Sequence, residues 1–222
     1  MYDNNFVGCT EELVADVIGA LDGYHNIIEL ELMSNNVGRS GCTALGNLLK
    51  QPTCKLKDVD LYSCGVDNEG LTILANGLVG NNTLKRILLS ENTSISVEGW
   101  EALSTVLCDM STVETTYLSN HTLEDIGIHT NPGRKVASLL NMNRNQRKSA
   151  VAREKILRYY LYTNVDLQLF LDMELEVLPY VIDWIGRDNY GSTLMYQLFQ
   201  KIPTLFEPNK KVGSNTLKRK RS

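Results

Sequence analysis

Few residues in this 222-residue chain are typed and spaced for chemistry. The three histidines, His25, His121 and His129, stand too far apart for metal-ligand spacing, so no metal site is nominated. The five cysteines (Cys9, Cys42, Cys54, Cys64 and Cys108) form no C-x-x-C pair. Lys55 beside Cys54 is too weak a neighbour to mark a nucleophile, and His121 reads as a structural hydrogen-bonding residue. No G-x-x-x-x-G-K-[ST], G-x-S-x-G, H-E-x-x-H or G-x-G-x-x-G occurs, so the sequence reads as a non-enzyme with no cofactor or small-molecule substrate. What does stand out is a set of outward-pointing residues on four short stretches. They are Glu29, Glu31 and Met33; Asp58, Asp60 and Tyr62; Arg86, Leu88 and Ser90; and Thr115, Tyr117 and Ser119. Acids beside acids, next to Tyr62, Leu88 and Tyr117, suit a basic and partly apolar protein surface. Like charges side by side on neighbouring strands cost about 0.2–1 kcal/mol, and such a cost calls for a use. Glu29, Glu31, Asp58, Asp60, Tyr62, Arg86, Leu88 and Tyr117 are therefore the candidate partner-binding residues.

The elements that must position these residues repeat. IIELELMSNNV, LKDVDLYSCGV, LKRILLSENTS and VETTYLSNHTL begin at residues 27, 56, 84 and 113, after intervals of 29, 28 and 29 residues. On the pattern L-x-x-L-x-L-x-x-[N/C]-x-L they place Leu30 and Leu32, Val59 and Leu61, Ile87 and Leu89, then Thr116 and Leu118, on the apolar side. The ninth position is Asn35, Cys64, Asn92 and His121, a polar side chain for a backbone turning away from a strand. The fourth copy departs from the pattern at Thr116 and His121. Residues two apart on an extended chain share a face, and one such strand cannot bury its apolar side alone, so the copies should stack as a parallel sheet. Between them, Gly41, Gly70 and Gly99 are each followed four residues later by Leu45, Leu74 and Leu103, one helical stripe in register.

This is the leucine-rich-repeat signature, and the long period resembles the ribonuclease-inhibitor-like class. The resemblance implies an α/β fold: a right-handed β-α solenoid, a short horseshoe arc with its parallel sheet on the concave face. It also implies a protein-binding scaffold or adaptor, as in the ubiquitin-ligase substrate receptors of that group. No F-box-like helical segment precedes the repeats in this sequence, which counts against a ligase role unless the N-terminus is missing. The alternative is a small-GTPase regulator, similar to the leucine-rich-repeat activators of the nuclear-transport GTPase. Those carry an acidic run after their repeats, whereas this chain ends basic.

Around the repeats the chain divides into four expected parts. Residues 1–25 hold a capping or partial-repeat helix over 10–22, with Thr10 as N-cap and acids in its first turn. By phase the chain opens inside a repeat, near the Asn4-Asn5-Phe6 turn, either as an N-terminal cap or as part of a longer array. About four repeats occupy 26–133. Residues 134–208 read as further helices forming a cap or subdomain, and resemble helical extensions on repeat proteins of microalgae, a resemblance that brings no activity. Residues 209–222 are a polar tail, in which Lys218, Arg219, Lys220 and Arg221 fit a short nuclear-import signal.

Composition limits the partners. Residues 1–207 carry 16 basic and 26 acidic side chains, which disfavours nucleic acid, while the last fifteen residues carry six basic ones and no acid. There is neither an 18-residue apolar run for a membrane span nor a basic, apolar leader, so the expected place is intracellular: the cytoplasm, or the nucleus if the tail acts. The sequons at Asn81, Asn92 and Asn120 are read as coincidental.

Overall fold

The computed structural model describes residues 10–24, 26–144, 147–156 and 158–159, together with 182, 183, 186, 187, 196 and 200. Strands and helices alternate: α1 (Glu11–Gly19), β1 (Glu29–Glu31), α2 (Gly38–Lys50), β2 (Asp58–Asp60), α3 (Asn68–Leu78), β3 (Arg86–Leu88) and α4 (Val97–Leu107). Three further helices follow, α5 (Val113–Leu118), α6 (Gly133–Asn143) and α7 (Lys148–Ile156). The strands form one parallel sheet in the order β1-β2-β3, with Glu29 beside Asp58 and Asp58 beside Arg86. Period two sends Val59 and Ile87 into the core and their neighbours outward. Successive helices pack on one another, and α3 meets α2 so closely that a Cβ on Gly77 would stand 2.7 Å from the Gly46 Cα.

The ninth-position side chains join the turns. Asn92 Nδ2 donates to Leu89 O of its own turn and, at 2.7 Å, to Leu61 O of the turn before. Its Oδ1 accepts from the N–H groups of Cys64 (3.0 Å) and Val66 (2.9 Å). Cys64 does less: its thiol donates to Leu32 O and Tyr62 O. Just before each ninth position Ser34, Ser63 and Glu91 adopt φ of 59°, 51° and 61°, a left-handed kink that non-glycine residues hold only when the surroundings enforce it. A second ladder lies at the strand entrances. Asn81 Nδ2 donates to Leu49 O and Asn120 Nδ2 to Leu78 O, while each Oδ1 accepts from the backbone at the start of its own strand. The asparagines of all three sequons are thus buried structural residues.

The fourth strand is not where the spacing predicts it. Residues 113–118 are helical, because Thr112 and Thr115 form a capping box: each accepts the other's backbone N–H at 3.0 Å. The fourth strand position is taken instead by Leu123–Ile126, which follows Asn120 as Leu84 follows Asn81. Asp125 bridges Arg86, Ile87 N–H donates to Asp125 O, and Leu89 N–H donates to Ile126 O. Leu123 and Ile126 are buried as the pattern requires. Gly127, at φ 95°, then turns the chain out of the sheet, and Ile128 is 74% exposed. The last interval is therefore 39 residues, from Leu84 to Leu123, with α5 as the insertion.

The chain forms two compact units, Met1–Tyr162 and Thr163–Ser222. Within the first, α6 packs on α4, and α7 packs on α5 and α6. Within the second, Arg187 pairs with Asp183 at 2.9 Å and Gln200 Nε2 donates to the Tyr196 hydroxyl at 2.6 Å. The basic run Lys218–Arg221 and most of the expected helices beyond 160 lie outside the described residues.

Candidate protein-binding surface

Two rows of side chains cross the open face of the sheet. The first runs Glu29, Asp58, Arg86 and, at the bridge, Asp125; the second runs Glu31, Asp60 and Leu88. Tyr62, 40% exposed, lies two residues beyond Asp60, whose Oδ1 accepts the Tyr62 N–H at 2.8 Å. The structure therefore brings seven of the eight candidate residues onto one surface. Tyr117 is the exception: it lies on α5, not on a strand, and so do Thr115 and the rest of the expected fourth outward set up to Ser119, the C-cap.

The rows are less uniformly acidic than the sequence suggests. Arg86 forms an ion pair with Asp58, and this carboxylate, with Glu29 and Asp125 nearby, holds the guanidinium above its ordinary pKa. Arg86 is largely solvent-exposed, so the pair contributes little to stability. It does place one cation among three acids in the first row, leaving the second row purely acidic up to Leu88.

A polar cluster that sequence reasoning missed lies behind α5. Lys155, on α7, is fully buried. Its Nζ donates to Leu107 O at the end of α4 (2.6 Å), to Asn120 O (3.0 Å) and to His121 Nδ1 (3.1 Å). The ammonium thus assigns the proton of His121 to Nε2, which donates to Tyr117 O at 3.0 Å. Burial pulls Lys155 down to about 8, and burial together with Lys155 pulls His121 down to about 4. His121 is therefore a structural hydrogen-bonding residue, but it precedes the fourth strand position instead of filling its ninth place, and its neighbour Asn120 belongs to the ladder at the strand entrances. Burial also pushes the Cys42 and Cys64 thiols up to about 12, far from thiolate chemistry at neutral pH. Near the end of the fourth strand a cleft of about 350 Å³ opens between Trp100, Val97 and His129. Among the described residues no group of three or more metal-ligating side chains converges, and no helix is long and apolar enough to cross a membrane.

Comparison with known proteins agrees with this arrangement. The chain is 33% identical over 85 residues to ribonuclease inhibitor of Sus scrofa, covering 38% of this chain and 19% of that protein. It is 32% identical over 118 residues to the mouse (Mus musculus) NACHT, LRR and PYD domains-containing protein 12, covering 53% of this chain and 11% of that protein. The chain thus spans a fifth or less of the length of these relatives. No protein-family model and no solved structure matches it. The repeated strands, the ninth-position ladder and these relatives together support a leucine-rich-repeat protein of the ribonuclease-inhibitor-like class.

Proposed function

We propose that the protein is a non-catalytic interaction scaffold that takes a partner protein on the open, concave face of its sheet. The observation that carries this reading is the second outward row, Glu31 and Asp60 beside Leu88, with Tyr62 at its rim. A partner surface with basic groups against the acids and an apolar patch against Leu88 and Tyr62 complements it. The relatives support the same class of function, since one is by its name an inhibitor of ribonuclease and so acts on another protein. Arg86 sets the polarity of the site, favouring a partner that places its cations over the β1–β2 half.

Affinity capture on the full chain, followed by surface plasmon resonance at several salt concentrations, tests this. Steering by exposed charge is screened over about 8 Å at physiological salt, so Glu31→Lys with Asp60→Lys should slow association and flatten its salt dependence. Tyr62→Ala should instead speed dissociation, and Tyr117→Ala should change neither rate. Unchanged binding by the charge-reversed and Tyr62 variants, with folding intact by circular dichroism, would remove the partner from this face.

A further inference from the structure

The fourth turn leaves the stack at Gly127, and a cleft lies where it departs. In the first three turns the side chain that closes the strand on its core side, Leu32, Leu61 or Leu89, is buried. Ile128 has the same spacing from Leu123 as Leu89 has from Leu84, yet it is exposed. The backbone pairing shows why. The N–H groups of Leu61 and Ser63 donate to alternate acceptors, Leu88 O and Ser90 O, as a regular parallel pair does. The N–H groups of Ile87 and Leu89 instead donate to acceptors adjacent in sequence, Asp125 O and Ile126 O. Gly127, at φ 95°, absorbs the slipped step, and it lies so near the third turn that a Cβ there would stand 2.6 Å from Ser90 Oγ. Ile128 is thereby turned out, with its carbonyl oxygen accepting the Ser90 hydroxyl.

The cleft left beside Leu89 has an apolar floor and a polar rim. Leu89 and Trp100, both buried, form the floor, and Ile95 and exposed Val97 continue it. Glu91, Thr93 and His129, all exposed, stand around the mouth. Its volume of about 350 Å³ lies within the range of about 300–1,000 Å³ found for ligand pockets. Glu91 occupies the left-handed position that Ser34 and Ser63 hold in the earlier turns, and among the described residues it forms no ion pair.

We propose that this cleft receives an aliphatic side chain of the partner bound on the open face, flanked on the partner by a lysine or arginine that meets Glu91. The proposal rests on the reading of the open face as the partner site. A cationic head group on the apolar floor would lose its water with no acid to replace it, whereas a leucine-sized side chain exchanges water for contact with Leu89, Ile95 and Trp100. The acid at the rim has the sign of Glu31 and Asp60, so one basic surface complements both. The two sites are also continuous. Ser63 N–H donates to Ser90 O, which places Glu91, the next residue, at the Tyr62 end of the open face.

The probe is the capped tripeptide acetyl-Lys-Leu-Lys-amide, titrated into the isotope-labelled full chain and followed by heteronuclear NMR. It should give saturable shifts at the amides of Thr93, Val97 and His129 and at the Trp100 indole. Serine in place of the leucine, or glutamates in place of both lysines, should abolish saturation. Glu91→Gln should weaken binding about two- to fivefold, as loss of an exposed charge pair does. Val97→Asp should abolish it, while an acid in the first turn of α4 suits the helix dipole and keeps the fold. Glu31→Lys with Asp60→Lys should leave the peptide shifts in place while slowing the partner, so failure of the open face would appear in the partner measurement and failure of the cleft in the peptide titration. Equal shifts by the leucine and serine peptides, or no saturable shift at the cleft, would overturn the proposal. So would nuclear Overhauser contacts between Ile128 and Trp100 in the peptide-free protein, because the chain's own side chain would then fill the cleft.

Discussion

His121 shows how a neutral side chain and a buried cation can share one site. Lys155 donates to its Nδ1, and the remaining proton on Nε2 goes to Tyr117 O, so a second proton has no place. The folded pKa of about 4 lies below the ordinary value of 6.5. Below pH 6.5 the unfolded chain takes up a proton that the folded chain refuses, so stability falls with pH from about 6.5 to about 4 and then levels for this group. Melting temperatures measured between pH 7 and pH 4 should fall, and His121→Gln should flatten the part of that slope above pH 5, where carboxylates contribute less. An identical slope in the variant would mean that another group carries the effect. Asparagines at the turns act on the same scale, each replacing with one amide the backbone partners that a turning chain loses.

At the scale of elements, α7 is held by a single buried head group rather than by an apolar stripe alone. Val151, Ala152 and Ile156 supply its apolar contacts, and Lys155 reaches Leu107 O at the C-terminal end of α4 and Asn120 O at the entrance to the fourth strand. A cation at a helix C-terminus is also favoured by the helix dipole. Lys155→Met keeps the stem but leaves those carbonyls unpaired in the interior, a loss of about 1.5–3 kcal/mol for bonds to a charged donor. Denaturant melts should show that drop, while Lys148→Met, on the exposed side of the same helix, should have a small effect. The insertion α5 is explained at this scale too. A threonine capping box outweighs a three-position match to the repeat pattern, at Val113, Leu118 and Leu123, because it satisfies two backbone donors locally.

For the whole molecule, the division into units separates two truncations that the sequence treats alike. Cutting after residue 133 removes α6 and α7, uncovering Leu107 and Trp100 on α4 and the Lys155 acceptors, so that protein should aggregate. Cutting after residue 162 keeps the first unit entire and should leave a monomer with a cooperative melt. Size-exclusion chromatography with light scattering distinguishes the two, and aggregation of the longer fragment would show that the first unit depends on residues 163–222.

The repeats were legible from the sequence because a stacked strand imposes a strict local rule: apolar side chains at fixed spacing, a polar residue at the ninth position, and a helical stripe between. Val59, Leu61 and Cys64, or Ile87, Leu89 and Asn92, satisfy it within nine residues, and so the first three strands and the outward set on them could be named without coordinates. The fourth could not be placed by periodicity, since an insertion breaks the period and Val113 imitates the first position. A local signal for it did exist, the recurrence of N-x-T-L at Asn81–Leu84 and Asn120–Leu123, but it looked like two glycosylation sequons until the buried amide contacts explained it. Tertiary structure alone decided what depends on residues distant in sequence: the Arg86 pairing with Asp58, the burial of Lys155 against Leu107 and His121, and the cleft between Trp100 and His129. Each of these contacts is made, or missed, between turns, and the spacing of side chains within one turn carries no information about what the next turn brings beside it.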